Sequence, residues 1–69
     1  MSALTPAELR VLQLTANGMT SIEAAKYLEL SSHTIKTHKA NIMLKLGVPN
    51  MTEACVLGMH YSFITYEGR

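Results

Sequence analysis

Four helix-start signals punctuate this chain, and their spacing constrains the fold more than any other feature. Thr5-Pro6-Ala7-Glu8 combines a capping threonine, a proline at the first helical position and a glutamate placed to close a capping box, so a helix starts at Pro6. Leu9, Leu12 and Ala16 follow at helical spacing, flanked by Val11 and Leu14, until Asn17-Gly18 supplies a left-handed stop near residue 17. Thr20, with Glu23 three residues on, caps a short helix over about 21 to 28, whose inner stripe is Ala24, Ala25 and Leu28. Glu29-Leu30-Ser31 is a tight turn, and Ser31 caps a longer helix from Ser32 to Leu46, closed by Gly47. Asn50, with Glu53 closing its box, opens a fourth helix that runs to about residue 60.

These signals predict an all-α, four-helix domain occupying residues 1–69 as a single unit, with a core over about 4–60 and a tail over 61–69. The tail, Tyr61-Ser62-Phe63-Ile64-Thr65-Tyr66, is apolar and β-branched, compatible either with an extension of the helix or with a packed arm. A chain of 69 residues buries only a modest share of its surface. With 48% hydrophobic and 16% charged residues, it is expected to leave apolar surface for a partner.

Composition removes several function classes. Cys55 is the one cysteine, so no internal disulfide forms, and the three histidines have no spacing suited to a metal. No metal, cofactor or small-molecule ligand is therefore expected. There is no glycine-rich phosphate loop, no nucleophile beside a base and no carboxylate pair, so the chain reads as a non-enzyme. A reduced, cytoplasmic setting fits, with no leader and no window near the ~20 apolar residues of a membrane span.

The net charge is only +1, but its distribution is uneven. Residues 33 to 45 hold Lys36, Lys39 and Lys45 with His33 and His38 and no acid, whereas Glu8, Glu23, Glu29, Glu53 and Glu67 lie elsewhere. Along this third helix Ile35, Ile42 and Leu46 recur on one stripe, and His33, Lys36, Thr37 and Ala40 fall on the opposite side at i, i+3, i+4 and i+7. Basic residues on an amphipathic helix ordinarily form nothing more than a solvated face. Here a capped short helix and a turn of three or four residues precede the basic helix, which is the helix-turn-helix arrangement.

In that arrangement the second helix of the pair enters the DNA major groove, where polar residues meet base edges, small ones permit approach and flanking cations meet phosphates. The expected base-contacting residues are His33, Lys36 and Thr37. The expected phosphate contacts are Thr20 and Ser21, through the helix start, with Lys39, Asn41 and Lys45. His38 is placed at the margin of the core, His60 on the surface, and Cys55 as a small buried residue.

Leu4-Thr5-Pro6-Ala7-Glu8, Gly18, Glu23-Ala24-Ala25, the run from Leu30 to Ile42, Lys45-Leu46-Gly47-Val48, Asn50 and Glu53-Ala54 together resemble the LuxR/GerE-type DNA-binding domain over about residues 4 to 58. The resemblance implies a four-helix fold whose third helix reads DNA, whose fourth contributes to a homodimer, and whose role is transcriptional regulation. Ala7, Ser21, Ile22 and Met51 depart from the residues usual in that family, where an arginine, an asparagine, a lysine and an arginine are common. Ile22 and Met51 are expected to be exposed, with Met19 on the same side.

Two function classes follow. In the first, the chain is a sequence-specific, double-stranded-DNA-binding regulator that dimerises through Met51, Leu57, Met59 and Phe63. In the second, it is an anti-activator that uses the same apolar residues and Ile22 to pair with another transcription factor and block it. Family members commonly carry a sensing domain ahead of this unit, so the chain is expected to be free-standing, a fragment, or an effector of another regulator.

Overall fold

The computed structural model describes residues 4–65, and the secondary structure it shows there is helical throughout. The order is α1 (Pro6–Ala16), α2 (Ser21–Leu28), α3 (Ser32–Leu46) and α4 (Met51–His60). Each start is made by the expected cap. Thr5 Oγ1 accepts from the Glu8 amide and Thr20 Oγ1 from that of Glu23, and in both boxes the glutamate carboxylate accepts the cap residue's own N–H. Ser31 Oγ accepts from the Thr34 amide, 3.0 Å away. At α4 the Asn50 side chain accepts from the Glu53 amide, and the return bond to the Glu53 carboxylate comes from the Asn50 side-chain amide.

α1 and α3 form the centre of the domain. α1 packs against all three other helices and α3 does the same, whereas α2 and α4 do not touch each other and cover opposite flanks. Val11, Leu12, Ala24, Ile35, Ile42 and Ala54 are completely buried between them. Full burial of a side chain such as Ile35 is worth about 1.5–3 kcal/mol, so α3 is held by its inner stripe with its other side left outward. Alanines on α2 and α4 let those helices approach closely.

The inner stripes of α3 and α2 fall where spacing places them, apart from Leu28, which is half-buried. α1 differs: Val11, expected at the flank, is fully buried, while Leu9 and Ala16 are only half-buried. Because α1 is covered on three sides, its buried arc is wider than one stripe and is centred nearer Val11 and Leu12. Met19 and Met51 also depart from expectation. Both are half-buried and pack against the core, so neither is the exposed apolar residue their positions suggested.

The tail resolves into a packed arm over its described part. Ser62 adopts a left-handed backbone (φ 62°), Phe63 N–H donates to the Gly58 carbonyl, and Ile64 turns inward to 5% exposure. Gln13 of α1 clamps Thr65 from both sides, donating to its carbonyl and accepting from its amide. Gly58 makes this possible, since a β-carbon there would lie 3.1 Å from both Ile64 and Leu12. Tyr66 lies outside the described residues.

The turn from α2 to α3 is made by Glu29 at φ 58°, ψ 43°, a left-handed conformation that costs an ordinary L residue about 1 kcal/mol and glycine almost nothing. Glu29→Gly is therefore expected to raise stability by about 0.5–1 kcal/mol. A higher urea midpoint checks this; a lower one would mean that the Glu29 side chain contributes more than the strain removes.

Candidate nucleic-acid interface

The side of α3 turned away from Ile35, Ile42 and Leu46 carries His33, Lys36, Thr37, Ala40, Asn41 and Leu44, and all six are exposed. Among the described residues, none of the polar ones is committed to a hydrogen bond or ion pair within the domain. The strip is thus a row of polar side chains, one of them a cation, with the apolar Ala40 and Leu44 positions between and beyond them on the outward side of a helix that is fixed on its other side. It starts at the turn joining α2 to α3, so α2 braces the end of α3 that carries His33 and Lys36.

The other expected contacts separate into two groups. Lys39 and Ser21 are brought together, with the lysine Nζ donating to the serine Oγ over 2.8 Å. An ammonium carries three donors, so the bond holds Lys39 in place and leaves donors over. It sits at the start of α2, where the first amides of a helix have no intrahelical acceptor. Thr20, by contrast, is occupied by its capping box: its hydroxyl accepts from Glu23 and its amide donates to the Glu23 carboxylate.

Lys45 is placed elsewhere. Its Nζ donates to Glu8 Oε1 across 2.7 Å, and the Glu8 side chain is almost wholly buried, with the Thr5 amide on the same oxygen. The Lys45 hydrogen bond, reinforced by that of the Thr5 amide, holds the Glu8 carboxyl below the usual carboxylate range against the opposing effect of burial. Lys45 thus ties α3 to the start of α1, a task distinct from the phosphate contact expected of it.

Helical geometry explains the division. Lys39 follows Ile35 by four residues and precedes Ile42 by three, and Lys45 follows Ile42 by three, so both flank the inner stripe and reach neighbouring helices. Lys36 lies on the far side and finds solvent. That signal was present in the sequence, as was Leu44, which falls four residues beyond Ala40 and is 80% exposed.

On α4 and the segment after it the expected interface residues differ in burial. Met51 faces the core and Leu57 is half-buried, whereas Met59 and Phe63 are exposed together with Val56 and Tyr61. Val48, Glu53, Val56, Leu57 and His60 line a shallow groove of about 300 Å³ on the outer side of this helix. Cys55 is buried, and burial pushes its thiol up despite the opposing charge of Lys39, as suits a core residue. Ile22, at the start of α2, is 63% exposed, as expected.

The sequence matches the family described as bacterial regulatory proteins, luxR family, the GerE family, over residues 2–57. The chain belongs to this family. It is 51% identical over 45 residues to an uncharacterized response regulatory protein, YgeK, of Escherichia coli, covering 65% of this chain and 31% of that one. It is 43% identical over 54 residues to the transcriptional regulatory protein LiaR of Bacillus subtilis, covering 78% and 26%. The chain therefore spans about a quarter to a third of the length of these relatives.

Among solved structures, the transcription factor GerE superposes with a TM-score of 0.90 at 24% identity, covering 97% of this chain and all of that one, a likeness of fold. The response regulator ChrA of a heme-sensing two-component system matches with a TM-score of 0.87 and 34% identity over 93% of this chain and 32% of its own length. No helix among the described residues is long and apolar enough to cross a membrane, and no cluster of potential metal ligands occurs among them.

Proposed function

We propose that this luxR-family domain is a sequence-specific DNA-binding transcriptional regulator that lays the outer side of α3 in the major groove of double-stranded DNA and works in the cytoplasm as a homodimer. The observation that carries the reading is the exposed row His33, Lys36, Thr37, Ala40 and Asn41, uncommitted among the described residues and mounted on a helix anchored by Ile35, Ile42 and Leu46. A major groove about 12 Å wide admits one helix, and this row is what such a helix must present.

In this reading Lys36 donates to the O6 and N7 acceptors of a guanine, Thr37 meets a thymine methyl or a base acceptor, and His33 contacts a base near the helix start. Lys39, steadied by Ser21, meets a phosphate at the start of α2 with the free amides there, and Asn41 contacts the backbone on the other side. Lys45 is left out of this set because Glu8 engages it. Removing Lys39 should weaken binding to every sequence alike, and Lys39→Ala should flatten the salt dependence by about 0.9 per subunit in log affinity against log salt. An unchanged slope would take Lys39 off the phosphates.

A second reading, the anti-activator that docks on another transcription factor, is favoured by the exposed Ile22 at the start of α2 and by the low net charge. Amide chemical-shift mapping with short duplexes at low salt separates the two. The first reading expects the shifts to concentrate on residues 20–22 and 33–41. Absence of any shift at low salt with a folded domain would overturn it. The charge reversals that compare the readings in cells are Lys36→Glu against Val56→Asp, since Val56 is exposed where Met51 and Leu57 carry part of the core.

A further inference from the structure

Of the large apolar side chains exposed among the described residues, Leu44 is the most exposed, at 80%. It lies well away from the buried stripe of Ile35, Ile42 and Leu46 on the same helix. With about 3.6 residues per turn, His33, Ala40 and Leu44 run along one line of α3, with Lys36 to one side and Thr37 and Asn41 to the other. Leu44 therefore stands on the midline of the outward strip, one turn beyond Ala40. A lone surface leucine is ordinary. Here two apolar residues one turn apart continue the face that the reading above sets in the major groove, and polar residues flank them.

We propose that Leu44, with Ala40 before it, reads thymine by packing on the C5-methyl group. In the major groove thymine is the base whose edge carries an apolar group, whereas cytosine offers an amino donor with which a leucine cannot pair. Ala40 is short enough for the helix to approach, and Leu44 extends beyond it to the methyl. α3 rises about 1.5 Å per residue, which sets Leu44 about 12 Å beyond Lys36, and successive bases are about 3.4 Å apart, so the thymine lies about three to four base pairs from the guanine that Lys36 contacts. This role rests on α3 entering the groove as proposed above, and it adds a second base class to what the helix selects. Leucine carries no charge, so it contributes to preference between sequences and nothing to the salt slope.

The test starts from a duplex selected by the full chain out of a randomised pool. A thymine is expected about three to four base pairs from the preferred guanine. Replacing that thymine by deoxyuridine removes the methyl group alone and is expected to weaken binding of the wild type about fourfold, the worth of one buried methyl. Leu44→Ala, checked for its helical circular dichroism, is expected to bind both duplexes alike, with its salt slope unchanged. If no thymine is selected there, if the wild type does not distinguish thymine from deoxyuridine, or if Leu44→Ala keeps the full distinction, Leu44 is an ordinary surface leucine while α3 remains the reader. If the selection enriches no sequence, this role and the reading of α3 both fall.

Discussion

Lys45→Ala is expected to destabilise the domain by about 2–4 kcal/mol, a large part of what a domain this small possesses. The Glu8 carboxylate is buried and shares one oxygen between the Lys45 ammonium and the Thr5 amide. Removing the ammonium leaves a buried charge with only its cap bond, which is why the effect exceeds that of an exposed ion pair; the 26% exposure of Lys45 keeps it below the upper range for fully buried pairs. The pH dependence follows from the sign of the Glu8 shift. Its pKa is lowered on folding by the Lys45 and Thr5 hydrogen bonds, so its contribution is complete above the unfolded carboxylate value of about 4.3 and is lost as pH falls through the lower folded value. Urea titrations should show this acid limb in the wild type and a weaker one in Glu8→Gln. A Lys45→Ala domain within about 0.5 kcal/mol of wild type would show that the pair only decorates the surface.

Lys36→Ala should cost about 1–3 kcal/mol of discrimination between a preferred duplex and one altered at a single guanine, roughly 10- to 100-fold, with the fold intact. Lys36 is exposed and has no intramolecular partner among the described residues, so its loss takes nothing from the core. The measured quantity is the ratio of affinities for the two duplexes at one salt concentration. If Lys36→Ala leaves that ratio unchanged, the lysine is a phosphate contact or an idle surface charge.

The local signals carried the fold because each helix start has its own chemistry. Thr5 with Glu8, Thr20 with Glu23, Ser31 and Asn50 all cap where their types and spacing place them. α3 was legible for the same reason as its outer strip: Ile35, Ile42 and Leu46 repeat at helical spacing, so what lies opposite them is exposed. What local pattern does not contain is how wide an arc a central helix buries. Val11 was misplaced because packing on several sides extends the buried arc of α1 beyond one stripe, whereas Met51, the first residue of α4, is only partly buried against the core.

The long-range bonds were also out of reach. Nothing local to Glu8 or Lys45 indicates that the fold sets them 2.7 Å apart, and Gln13 gives no hint of its hold on Thr65. Lys39 is intermediate: its position beside the inner stripe indicates contact with a neighbouring helix, but only the fold identifies Ser21 as the acceptor. Membership of the luxR family accounts for the fold, and the particular residues then decide how much cationic surface the domain presents.

That remaining surface can be counted. The most direct test is fluorescence anisotropy of the folded protein with a palindromic and a scrambled duplex across a salt series. With Lys39 as the cation on a phosphate in each subunit and Lys36 on a base, the expected slope of log affinity against log salt is about −0.9 per subunit, with tighter binding to one duplex than to the other. No binding at low salt, or binding without any preference between duplexes, would contradict the assignment of α3 as the reader of sequence.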